Sequence, residues 1–254
     1  RTMAEYGTGA ISSARVLARI HPELRYSATY VAQWARNEAE AGNLGAQLVL
    51  GHLLLAGHGA ERDPVGACQC FRRAADEGDL DAINMVGRCH ERGWGVAADA
   101  VEAARWYRKA AERGHAWALF NLADLMRKGE GMAADPAAAL PLFLRSSRRG
   151  NAKAMNMLGR YREEGWACRV RQSSAMRWYF RAAIRGCYRG RFHLGRLLLA
   201  ADDVGRAAYW FGHSLSVAPP NFHEEAAHWL GLQVHPDIRA IGRAALAGSG
   251  RRKT

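Results

Sequence analysis

The residues with chemical potential in this chain are few, and their spacings decide most of what they can do. His223-Glu224-Glu225-Ala226-Ala227-His228 has the outline of the H-E-x-x-H zinc signature with one residue too many. Two histidines at i and i+5 stand about 140° apart around a helix, too far for a joint metal site. Cys68 and Cys70, two apart, point to different sides of a predicted helix and would need two further ligands close by. Glu163-Glu164 is an acidic pair predicted to lie on a helix surface without the neighbour that acid–base chemistry requires. Neither a phosphate-binding G-x-x-x-x-G-K-[ST] loop nor a G-x-S-x-G nucleophile elbow occurs. His52, His58, His90, His115 and His193 are scattered, and His90 reads as a packed core residue. The sequence therefore predicts no catalytic residue, no cofactor and no metal.

What remains is arginine. Of 36 basic residues only 4 are lysine, and the formal charge of +12 is concentrated. Residues 127–196 carry 16 basic and 4 acidic side chains, whereas residues 1–126 carry 14 and 15. Such a block predicts an anionic partner, either an acidic protein segment or, as the alternative, nucleic acid. Five cysteines, an odd number spread over 254 residues, predict reduced thiols and a cytoplasmic location. The first 30 residues lack the layout of a signal peptide, and no run of 18 apolar residues predicts a transmembrane helix.

The elements that must position these arginines repeat every 36 residues. Glycines at 42, 78, 114, 150 and 186 share that interval, and before them stand Phe71, Trp106-Tyr107, Leu142-Phe143 and Trp178-Tyr179. A second set of glycine breaks falls at Gly57, Gly93, Gly129 and Gly165. Asp63, Asp99 and Asp135 sit where a helix N-cap is needed, and the fourth copy has Arg171 there, so Ser173 or Ser174 is expected to cap. Each copy reads as two helices. Ala46, Ala82, Ala118, Ala154, Gly190 and Ala226, with Gly51, Gly87, Ala123, Gly159, Gly195 and Gly231, mark packing seams, and the aromatic pairs are expected to fill the space between layers.

The predicted organisation is a degenerate N-terminal capping pair (1–43, helices near 10–20 and 27–41), repeats at 44–79, 80–115, 116–151 and 152–187, a shortened repeat at 188–220, a degenerate C-terminal cap at 221–247 and a basic tail at 248–254. The string at Ala82–Gly114 closely follows A-x3-L-G-x2-[Y/H]-x2-G-x-G-V-x2-D-x3-A-x2-W-Y-x-K-A-A-x2-G. It resembles the Sel-one-like repeat (SLR) family, relatives of the tetratricopeptide repeats. The resemblance covers roughly 34–247. It implies an all-α, right-handed α/α superhelix of antiparallel helix pairs, with first helices lining a concave side, and a bacterial, non-enzymatic adaptor or scaffold as the role.

On that implied arrangement, register proposes a groove. Three residues before and one after each seam position lie Asn84 and Arg88, Phe120 and Asp124, Asn156 and Arg160, and Phe192 and Arg196. Three residues earlier, on the same strip, come Asp81, Trp117, Lys153 and Arg189. Arg88, Arg160 and Arg196 are read as an interrupted basic ladder, suited with the Asn84 and Asn156 amides to carboxylates and the backbone of an extended peptide. Arg177, Arg181 and Arg185 form a second strip on the opposite helix of their copy.

Overall fold

Why most of the helices share one length is visible at their ends. The computed structural model describes residues 28–250, and the described residues contain thirteen helices and no strand. They are α1 (Ala28–Glu40), α2 (Leu44–Ala56), α3 (Pro64–Asp76), α4 (Leu80–Arg92), α5 (Ala100–Glu112), α6 (Ala116–Lys128) and α7 (Pro136–Arg148). Then follow α8 (Ala152–Glu164), α9 (Gln172–Ile184), α10 (Tyr188–Ala200), α11 (Val204–Leu215), α12 (Pro220–Gly231) and α13 (Pro236–Gly250). The expected helix at 10–20 and the end of the basic tail lie outside the described residues. The last helix runs to Gly250 rather than ending near Ala247.

Asp63 and Asp99 cap α3 and α5 by accepting from the N–H groups two or three residues on, and Asp135 accepts from Ala138 in the same way at 2.9 Å. The expected serine cap of α9 does not form. Arg171 itself takes the N-cap geometry and offers no side-chain acceptor. Each of these four cap residues donates its own N–H back to a carbonyl near the end of the preceding helix: Leu54, His90, Met126 and Arg162, at 2.8–2.9 Å. The loop is thereby pinned to one length. At the helix ends Gly57, Gly93, Gly129 and Gly165 adopt the left-handed conformation. Ala167, a non-glycine at φ 50, stands where the earlier copies have Gly59, Gly95 and Gly131.

The chain divides into two compact units, one ending at Ala139 and one beginning at Leu140, within α7 and beside Pro141. In the first unit α1 to α6 pack in succession. In the second, α8 to α11 do the same, and α13 closes against both α11 and α12. The core of each unit follows the repeat. Phe71 and Tyr107 in the first, and Phe143, Tyr179 and Phe211 in the second, have no exposed surface. A Cβ at Gly87 would lie 2.6 Å from the Tyr107 ring, and one at Gly195 would lie 2.8 Å from Phe211. The seam glycines are thus the sockets for these rings. The tryptophans differ from expectation. Trp106 and Trp178 are only partly buried, and cations stack on them: Arg72 on Trp106 at 4.6 Å, Arg181 on Trp178 at 4.9 Å.

Candidate partner-binding faces

In the first unit, α4 and α6 carry the register-predicted residues. Asn84 is 7% exposed, and its carbonyl oxygen accepts from the Asn121 amide at 2.9 Å. It bridges two first helices and does not present its amide to solvent, which corrects its place in the groove. Arg88 is half-buried, with its guanidinium 5.0 Å above the Trp94 ring, and burial pulls its pKa below the usual guanidinium value. Trp117 meets Phe120 edge-on at 6.2 Å, both half-buried. Asp124 is paired with Arg127 at 2.7 Å and Lys128 at 2.9 Å, so it acts as a local counter-charge. Its carboxyl lies below the ordinary value: burial opposes ionisation, but the bonds from Lys128 and Arg127 outweigh it. His115 bonds Asp81 at 3.0 Å and thereby lowers the Asp81 pKa. His90 is half-buried, not a core residue.

In the second unit Arg160 and Arg196 are held by acids. Arg196 pairs with Glu163 at 2.7 Å, and Glu163 also accepts from the Tyr179 hydroxyl at 2.7 Å. Arg160 pairs with Glu164 at 2.9 Å and lies 4.6 Å above the Trp166 ring. Glu163-Glu164 therefore has partners that sequence spacing did not show. Burial, then the bond to Glu163, pushes the Tyr179 hydroxyl far above its usual pKa. His193 stacks on Tyr179 with centroids 5.0 Å apart, and burial, then Arg196, holds it near about 4. Asn156 is 5% exposed and Phe192 is buried against Phe211, Phe222 and Trp229, so both leave the predicted groove set. Lys153 and Arg189 are exposed, with Arg189 5.6 Å over the Phe222 ring.

Arg88 in one unit and Arg160 and Arg196 in the other are half-buried, each oriented by a ring or a carboxylate. An arginine fixed this way has already lost much of its rotamer freedom, so a carboxylate that reaches its remaining N–H groups meets an ordered fork. No group of three or more His, Cys, Asp or Glu able to hold a metal occurs among the described residues. The free Cys68 thiol, hydrogen-bonded to the Cys89 thiol on the neighbouring helix, is drawn down to about 7, while the Cys89 thiol is pushed up by the same contact and by burial. No helix among the described residues is long and apolar enough to cross a membrane.

The Sel1 repeat model matches at residues 45–79, 80–115, 118–151, 152–187 and 198–232. No curated protein sequence matches the chain. Among solved structures, the chain is similar to a Sel1 repeat protein from Oxalobacter formigenes, at 23% identity and TM-score 0.70, over 83% of this chain and 88% of that one. It is also similar to a protective antigen of uropathogenic Escherichia coli strains displaying an SLR fold, at 24% identity and TM-score 0.64, over 96% of this chain and 54% of that one. The chain therefore spans about half of the antigen's length. An immunity protein from Pseudomonas aeruginosa is similar at 16% identity and TM-score 0.56, over 81% of each chain. At these identities the likeness shows the fold.

Proposed function

Since the chain belongs to the Sel1 repeat family, whose members are helical-repeat scaffolds for protein interaction, we propose that it is a non-enzymatic interaction module whose first-helix arginines hold an acidic peptide or protein segment. The observation that carries this reading is the state of Arg160 and Arg196. Both are half-buried and fixed in place by Glu164 with Trp166 and by Glu163, yet neither is used up in a fully buried pair: their side chains are 33% and 35% exposed. A partly exposed, pre-oriented guanidinium adds an incoming carboxylate at lower entropic cost than a mobile one. Exposed Lys153 and Arg189 lie on the same register strip in the same unit.

Reversing Arg160 and Arg196 to glutamate tests the proposal. Proteins recovered on the wild-type chain by affinity purification and identified by mass spectrometry should be depleted at least about tenfold on the double variant, the loss typical of a central interface arginine. Thermal unfolding of the variant guards against a folding defect, since both residues also pair within the chain. Undiminished recovery on a folded variant would sink the reading. Recovery that collapses between about 50 and 200 mM salt and is abolished by nuclease would instead favour nucleic acid.

A further inference from the structure

The solvent-facing side of α9 departs from every earlier copy of the repeat. Stepping back by 36 residues, the position of Phe180 is held by Leu144, Arg108 and Arg72, and that of Ile184 by Arg148, Glu112 and Asp76. In α9 these become Phe180, 48% exposed, and Ile184, 60% exposed, one helical turn apart on one face. Arg177 and Arg181 share that face and Arg185 follows at the C-cap; all three are exposed, and no carboxylate among the described residues pairs with any of them.

The apolar surface continues onto α11. Phe180 meets the edge of Trp210 at 6.2 Å, Trp210 meets Tyr209 at 5.2 Å, and Tyr209 is itself 58% exposed. Tyr209 immediately precedes the Trp210-Phe211 pair, as Arg177 precedes Trp178-Tyr179, so here too the copy exchanges a charge for a ring. Asp203, at the head of α11, is occupied by Arg206. A scattered exposed apolar residue needs no explanation, but a contiguous set framed by arginines has the composition of an interface centre, where aromatic residues and arginine are enriched.

The chemistry selects the occupant. Three arginines without acidic partners call for negative charge. Ile184 offers no flat face for a base to stack on, whereas an aliphatic and an aromatic residue one turn apart suit the apolar row of an amphipathic helix. We propose that the α9–α11 surface docks an acidic amphipathic helix of a partner protein, with its apolar row on Phe180, Ile184, Tyr209 and Trp210 and its carboxylates on Arg177, Arg181 and Arg185. This surface lies on second helices of the repeat and does not involve Arg160 or Arg196, so it stands or falls apart from the first-helix face.

The test uses the full chain and a fluorescein-labelled synthetic peptide of about five helical turns, with leucine along one face and glutamate along the other. Anisotropy should show saturable binding. The double variant Phe180→Arg with Ile184→Glu restores the residues of the second copy, so it is compatible with the repeat fold. It should weaken binding by at least about tenfold, as should Arg177→Glu with Arg181→Glu. Replacing the peptide leucines by serine, or its glutamates by lysine, should abolish binding. The proposal is overturned if the wild-type chain ignores the acidic peptide, if Phe180→Arg with Ile184→Glu binds as tightly as wild type, or if the serine peptide binds equally well. It is also overturned if labelled oligouridylate binds more tightly and is lost with the same substitutions. A wild-type dimer that becomes monomeric with Phe180→Arg and Ile184→Glu, measured by sedimentation, would assign the surface to a second copy instead and overturn it likewise.

Discussion

At the scale of single residues the design is a ring set into a glycine. Tyr107 packs against Gly87 with no room for a methyl group, and its hydroxyl is anchored to Glu91 at 2.5 Å, so the ring is tied at both ends. Gly87→Ala should destabilise the chain by about 1–3 kcal/mol through overpacking, outweighing the roughly 1 kcal/mol that alanine contributes to an exposed helix interior. Gly212→Ala, in α11 with nothing within 4 Å of the added Cβ, is the matched control and should stabilise by about 0.5–1 kcal/mol. Thermal melts of the two variants measure the opposite signs. The same scale explains why three residues proposed for the groove do not reach it. Asn84, Asn156 and Phe192 sit three residues before a seam glycine, on the side of the helix that turns toward its neighbour. Spacing alone cannot separate a residue facing the next repeat from one facing solvent, because both lie within the same third of the helix.

At the scale of the element, helices of twelve to fifteen residues are too short to hold themselves, and caps and packing set their boundaries. The aspartate caps and the left-handed glycines were legible from residue type at fixed intervals. The fourth copy was less so. With arginine in the cap position, Ser173 and Ser174 looked like substitutes, but the loop pinned by the Arg171 N–H to the Arg162 carbonyl fixes the N-cap at 171 regardless of its side chain. That loop geometry, not the best available acceptor, decides where α9 starts. Arg171→Asp should therefore supply the missing acceptor and raise stability by about 0.5–2 kcal/mol, the usual worth of an N-cap side chain. Urea denaturation should show a higher midpoint with unchanged slope; an unchanged midpoint would mean that backbone geometry alone already satisfies the end of α9.

At the scale of the whole chain, His52 in the first unit and His193 in the second are each packed near an arginine. Burial, then Arg88, with Asp81 opposing, holds His52 near about 4, and His193 is held near about 4 by burial, Arg196 and its neighbours. The unfolded chain takes up protons near pH 6.5, so between about 6.5 and 4 it binds more protons than the folded chain. Stability should then fall as the pH is lowered through that window and level off below it. The paired carboxylates Asp81 and Asp124, whose pKa values are depressed, add their own losses only at lower pH. Urea midpoints at about pH 7 and about pH 5 check this, and a His52→Gln, His193→Gln double variant should flatten the difference. If the wild-type midpoints coincide, the two rings protonate inside the fold without cost.

The sequence by itself determined the repeat, its 36-residue period, the family resemblance and the concentration of arginine, because these depend on residue type at fixed intervals. Only the tertiary structure decided which arginines have charge left to offer. Arg160 and Arg196 belong to one basic block in sequence with Arg177, Arg181 and Arg185, yet the first two face Glu164 and Glu163 while the last three face none. Arg196 and Glu163 are 33 residues apart, a separation that only the stacking of neighbouring helices brings to hydrogen-bonding distance. Phe180 is equally plain in the sequence as an aromatic residue beside the Trp178-Tyr179 pair, but its exposure follows from which way that turn of α9 faces. Charge and hydrophobicity are properties of residues. Their availability to a partner is a property of what has packed against them.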